Sequence, residues 1–205
     1  DISPSSLFGT VGRRKRDLAT EIGAVLAFSA ITNNDKVGAL FFSDRIEKYI
    51  APKKGRQHAL YIVRELLGIE PTGRGTRMED AIKFFSSASR QKSIAFLLSD
   101  FTGVQFENDL KVISGRHEVI GIRLYDPLDM QLPDAGLLQV EDLESGQSCW
   151  VDTGDAGVRY QYHQEFLRQS ALCQQHFRKA GAELLHISTA EDYVKILQQF
   201  FIRRS

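Results

Sequence analysis

Short apolar runs alternate with amphipathic helical stretches along nearly the whole of this 205-residue chain. That alternation constrains the fold more than any other feature. Apolar residues at helical spacing predict helices over 15–32, 56–68, 76–88, 106–114, 158–180 and 190–202. Between them lie runs such as KVGALFF (36–42), SIAFLL (93–98), HEVIGIRLY (117–125) and ELLHI (183–187). Such runs mark strands covered on both faces. Residues 45–50 follow a Ser43–Asp44 turn and predict an edge strand paired back on 36–42. Residues 137–151 predict a second hairpin, turning at Ser145–Gly146. Thr76, with Glu79 three positions on, reads as the N-cap of the third helix. Parallel strands joined by helical crossovers put helices on both faces of the sheet. The fold class is therefore α/β: a mostly parallel sheet with helices on both faces and an antiparallel edge hairpin. The length predicts one domain over 1–205.

Charge and cysteine content narrow the function. Lys plus Arg and Asp plus Glu each number 26, so no global attraction to nucleic acid or anionic lipid is expected. Cys149 and Cys173 form no CxxC pair and read as free thiols, without a zinc site or disulfide framework. No apolar run reaches the length of a membrane span, and no signal peptide is seen.

Ligands of open α/β sheets bind beyond the carboxyl ends of the strands. Three features meet there. Asp1-Ile2-Ser3-Pro4-Ser5 has a DxSxS pattern, and an extended segment would project its alternate oxygens to one side. Thr76 ends the loop Gly73-Arg74-Gly75, and Asp100 follows the strand SIAFLLS. Hydroxyls and carboxylates are hard donors that suit octahedral Mg²⁺ or Mn²⁺ rather than zinc. Each signal alone has a plain alternative: a capped turn, an N-cap, an Asx turn. Their order within one α/β pattern gives them weight.

In that order they resemble the metal-ion-dependent adhesion site of von Willebrand factor A domains. Lys36 to Asp44 (KVGALFFSD), Pro52 to His58 (PKKGRQH) and Leu98 to Phe101 (LSDF) are similar to the bacterial family called domain of unknown function 58. The resemblance implies a three-layer, Rossmann-like fold, that of a von Willebrand factor A-like domain. Ser3, Ser5 and Thr76 would coordinate the metal directly, and Asp1 and Asp100 would act mainly through water. It also implies a central strand before DxSxS, so the chain is expected to be a fragment lacking its first strand. The domain would be cytoplasmic, in a parent carrying upstream membrane segments. The implied partner is a protein offering Asp or Glu to the metal, a MoxR-type AAA+ ATPase or its client. No nucleic acid is expected.

The leading expectation is a non-catalytic, metal-dependent interaction module. A Mg²⁺-dependent phosphoester hydrolase is the alternative, and it needs a second catalytic carboxylate or a Lys at the same edge. Haloacid-dehalogenase phosphatases use DxD, whereas Ser3 stands at the second Asp here. A metal-free structural domain is a third reading. Lys53, Lys54, Arg56 and His58 read as a solvated helix entry, and Arg13 to Arg16 as a solvated loop. Asp152-Thr153-Gly154 matches the aspartic-protease triplet, but a turn suits it better.

Overall fold

A computed structural model describes residues 1–103, 105–143 and 146–204. Its helices are α1 (Lys15–Thr32), α2 (Arg56–Gly68), α3 (Met78–Ala88), α4 (Glu107–Ser114), α5 (Pro127–Met130), α6 (Ala156–Ala180) and α7 (Tyr193–Ile202). Its strands are β1 (Val37–Phe42), β2 (Ile46–Lys53), β3 (Ile94–Ser99), β4 (Glu118–Tyr125), β5 (Leu137–Glu141), β6 (Ser148–Asp152) and β7 (Glu183–Ser188). The fold is mixed α/β. A parallel sheet runs β3-β4-β7, and β1-β2 and β5-β6 are antiparallel hairpins. The expected turn residue Ser145 lies outside the described residues; Gly146 beside it takes φ 70°.

β4 is central, and its alternating side chains divide the core. Ile122 and Leu124 face α1 and α7, packing with Leu18, Ile22 and Leu197. Val119 joins the opposite cluster, with Met78 and Ile82 of α3, Leu110 of α4 and Phe177 of α6. Phe41, Ile50 and Ile62 bring α2 against the β1-β2 hairpin. Helices therefore cover both faces of the sheet.

The hairpin and the parallel sheet meet through the first two residues. The Asp1 nitrogen donates to Leu98 O of β3 at 3.0 Å, and Ile2 N–H donates to Phe42 O of β1 at 2.9 Å. Successive N–H groups of an extended chain point to opposite sides, so this dipeptide reaches both strands at once. No ladder joins β1 directly to β3 among the described residues.

Two local expectations need correction. Helix α3 starts at Met78, its N-cap is Arg77, and no side-chain cap bond forms there, so Thr76 belongs to the loop and not to a capping box. Strand β2 continues through Pro52 to Lys53, because the register shifts between Val37 and Ala39. Proline, lacking an N–H, is tolerated at such an irregularity. The Pro-rich segment after β4 contains the helical turn α5, capped by Asp126, whose side chain accepts from Leu128 N–H.

Gly121 on β4 lies directly beneath the Phe177 ring, and a Cβ there would overlap the ring and Leu184. Phe177 is fully buried and contacts Phe101 and Phe106 edge-on, so it has little room to retreat. Gly121→Ala is expected to lower stability by about 1–3 kcal/mol through overpacking. A shift in the urea midpoint at constant m-value would measure it.

Candidate functional site

The carboxyl ends of β1 and β3 carry the site. Strand β3 ends at Ser99, and two residues later Phe101 takes φ 54°, in the left-handed region. That conformation costs a non-glycine residue about 1–3 kcal/mol and persists only where its surroundings fix it. Phe101 N–H donates to Ser99 Oγ at 3.1 Å, and its ring packs 5.3 Å from Phe177 and 5.5 Å from Phe106. The turn thus holds Asp100 at the strand end.

Asp1 is fixed from two sides. Its Oδ1 accepts from Ser3 N–H at 2.8 Å and its Oδ2 from the Ser99 hydroxyl at 2.5 Å. The extended DxSxS segment expected from the alternate oxygens does not continue beyond Ser3. Pro4–Leu7 forms a 3₁₀ turn, with Pro4 in its first turn, where a missing N–H is harmless. The turn still brings two hydroxyls together: Ser3 Oγ and Ser5 Oγ lie 3.1 Å apart.

Thr76 follows a loop pinned by carboxylates. Glu47 accepts from the Ser43 hydroxyl, from Thr72 N–H and hydroxyl, and from Gly73 N–H. Burial alone would raise the Glu47 pKa, but these bonds outweigh it and hold the carboxyl below its ordinary value. Gly73 presses on Asp44 and Ser43 so closely that a Cβ would overlap both side chains. Arg77 N–H then donates to Ser43 O at 2.8 Å, fastening the other end of the loop. Pro71 and Gly73 line one surface groove of about 720 Å³ together with Pro4 and Leu7.

Lys15, read from sequence as part of a solvated basic loop, is buried in the site. Its Nζ lies 3.1 Å from Asp100 Oδ2 and 3.2 Å from Asp129 Oδ2. Burial alone would lower the lysine pKa, and the two carboxylates outweigh it and raise it. Asp1, Ser5, Ser6, Lys15, Ser99 and Asp100 border one cavity of about 10 Å³. Arg13 is not simply solvated either: its guanidinium bonds Glu21 and the Thr189 and Glu191 carbonyls. The alternation pattern carried no sign of these roles, because a basic run before a helix is usually exposed. Arg123 of β4 supports the Asp100 backbone, its Nε donating to Asp100 O at 3.1 Å.

A second polar centre, also unforeseen, lies alongside. Asp126 is fully buried and accepts from Thr10 N–H and hydroxyl, the Thr189 hydroxyl and Leu128 N–H. Its burial would raise its pKa; the hydrogen bonds from Thr10 and Thr189 overcome this and lower it.

The structure brings together Asp1, Ser3, Ser5 and Asp100; Thr76 sits on the loop between Gly73 and the start of α3. Among the described residues, no three His, Cys, Asp or Glu side chains gather as a metal cluster. Thr153 is buried and bonds Gly136 O, and Gly154 N–H donates to Asp152 Oδ1 in the expected turn. Cys149 is exposed, and Cys173 is buried with its thiol pushed up to about 12. His58 Nε2 meets Val37 O at 3.0 Å, while Lys53, Lys54 and Arg56 are exposed.

The family described as "Protein of unknown function DUF58" matches residues 1–172, and the chain belongs to it. Uncharacterized proteins of Mycobacterium tuberculosis and Mycobacterium bovis are each 30% identical over 207 residues, an alignment covering all of this chain. The chain spans 65% of the length of these curated relatives. Among solved structures, a conserved hypothetical protein, BatB, from Bacteroides thetaiotaomicron superposes with a TM-score of 0.64 at 16% identity, covering 99% of this chain and 94% of its own. An aerotolerance-related membrane protein from Bacteroides fragilis gives 0.63 at 16% identity, covering 97% and 94%. Both likenesses are of fold. No helix among the described residues is long and apolar enough to cross a membrane.

The lowered Asp126 pKa sets a pH dependence. A carboxyl whose folded pKa lies below its unfolded one stabilises the fold above the unfolded value, about 3.9, and that contribution disappears as pH falls through the folded one. Asp126→Asn is expected to lower stability at neutral pH by about 2–3 kcal/mol. It should also flatten the loss of stability below about pH 4. Urea titrations of both proteins from neutral to acid pH check this.

Proposed function

We propose that this domain is a non-catalytic, metal-dependent protein-interaction module of the von Willebrand factor A-like kind. Ser3, Ser5 and Thr76 would hold Mg²⁺ or Mn²⁺ directly, with Asp1 and Asp100 acting through water. The observation that carries the reading is the 3.1 Å separation of the Ser3 and Ser5 hydroxyl oxygens beside two carboxylates. Adjacent vertices of an octahedron with metal–oxygen bonds of 2.0–2.1 Å lie about 3 Å apart. The donor set, hydroxyls with carboxylates, also suits a hard ion. When bound, the ion would supply an electrophilic position that a partner's Asp or Glu completes. Asp1 serves by orienting: it fixes Ser3 through the backbone and is itself aimed by Ser99.

By the family resemblance the partner is a MoxR-type AAA+ ATPase or its client. The domain would lie on the cytoplasmic side of a membrane-associated parent. The Bacteroides fragilis neighbour, described as a membrane protein, agrees with that setting.

One observation favours the hydrolase alternative. Lys15 and Asp129 supply the lysine and additional carboxylate at the same strand edge that such chemistry would need. Against it, the Lys15 ammonium is paired with both carboxylates in this structure, and Ser3 stands where a phosphatase DxD would place its second aspartate. The interaction module is therefore preferred.

Calorimetric titration of Mg²⁺ and Mn²⁺ tests the reading. Saturable binding is expected, tightened by acetate as a surrogate carboxylate. Ser3→Ala and Thr76→Ala should each weaken it by about tenfold or more, equivalent to about 1.4 kcal/mol. A folded chain that binds neither ion would overturn the proposal. Metal-dependent hydrolysis of p-nitrophenyl phosphate, abolished by Asp100→Asn, would establish the hydrolase instead.

A further inference from the structure

Asp100 has two competing demands on it. Its Oδ2 accepts from Lys15 Nζ at 3.1 Å, and its Oδ1 from Thr102 N–H at 3.2 Å. The Lys15 side chain is only 7% exposed and borders the same small cavity as Asp1, Ser5 and Asp100. A cavity of about 10 Å³ admits roughly one water-sized occupant. We infer that Lys15 is the built-in cation of this site, and that its ion pair with Asp100 competes with divalent-ion binding. This inference rests on the metal reading above.

The physical basis is charge. An ammonium in the cavity wall neutralises the carboxylate that a divalent ion needs and repels the ion itself. Lysine can play this part because its charge is compact and its four-carbon stem is flexible. A second anchor already exists: Asp129 on α5 lies 3.2 Å from the same ammonium. When a divalent ion enters, Lys15 gives up Asp100 and keeps Asp129. The exchange is felt at two places beyond the site. One is α5, which carries Asp129. The other is the start of α1, where Lys15 N–H bonds Phe8 O at 2.9 Å. The competition makes the interaction surface conditional on divalent-ion concentration.

Mn²⁺ titration by calorimetry compares the whole chain with Lys15→Met and with Lys15→Met/Asp129→Asn. The double variant removes the ammonium together with a carboxylate it would strand. Its Asn still offers an oxygen to Asp126 N–H, which Asp129 accepts at 2.8 Å. The folded double variant is expected to bind Mn²⁺ at least about tenfold more tightly than the parent chain. Equal or weaker binding, with saturable binding by the parent, would overturn the competition and leave the metal site standing. No binding by any of the three would overturn both. A second readout needs no variant: in amide spectra of the unaltered chain, Mg²⁺ should shift Lys15 and Asp129 along one saturation curve. Unmoved resonances at saturating Mg²⁺ would overturn the exchange.

Discussion

A buried ammonium between two carboxylates ties together three parts of this molecule that are distant in sequence. Lys15 belongs to the first turn of α1, Asp100 to the end of β3 and Asp129 to α5. Removing a charge from water costs several kcal/mol, and stranding one partner of a buried pair costs about 3–5 kcal/mol. The three elements must therefore be in place together. The site inherits that requirement, since Asp1 and Ser5 border the same cavity as Lys15 and Asp100.

The polar groups gather at one end of the sheet, while its middle is apolar. Ile122, Leu124 and Ile187 are covered by α1 and α7, and Val119 and Gly121 by the clusters around Phe177. At the carboxyl ends the chain changes character: Ser99, Asp126 and Ser188 are buried and hydrogen-bonded. Asp126, receiving two threonine hydroxyls, fastens Thr10 and Thr189 to the turn after β4. A rigid apolar body thus presents a network of oriented oxygens on one edge, as an open α/β sheet does for its ligands.

The strand and helix order was legible in the sequence because period and punctuation agree. The second helix spans Arg56–Gly68 as its spacing predicts, and α6 stops where Gly181 takes the left-handed conformation at φ 71°. DxSxS, Thr76 and Asp100 were legible as oxygen donors. What was not legible came from tertiary contacts. Nothing in the run Arg13 to Arg16 separates Lys15, which is buried, from Arg14, which is exposed and pairs with Asp17 on its own helix. Asp126 stands beside a proline in sequence, and its partners lie 116 and 63 positions away. Local pattern is blind to such partners, just as it missed the left-handed Phe101, which only its aromatic neighbours make tolerable.

The dipeptide Asp1–Ile2, which bonds β3 on one side and β1 on the other, places the site on a seam. Mechanically, the DxSxS turn is a handle fastened to both strands at once. Load applied to Ser3 or Ser5 passes along the backbone into the Ile2 bond to Phe42 O of β1 and the Asp1 bonds to Leu98 O and the Ser99 hydroxyl of β3. The hairpin carrying the Thr76 loop contacts and the sheet carrying Asp100 thus share any tension that arrives at the turn. A pull at this edge is resisted by both halves of the molecule together.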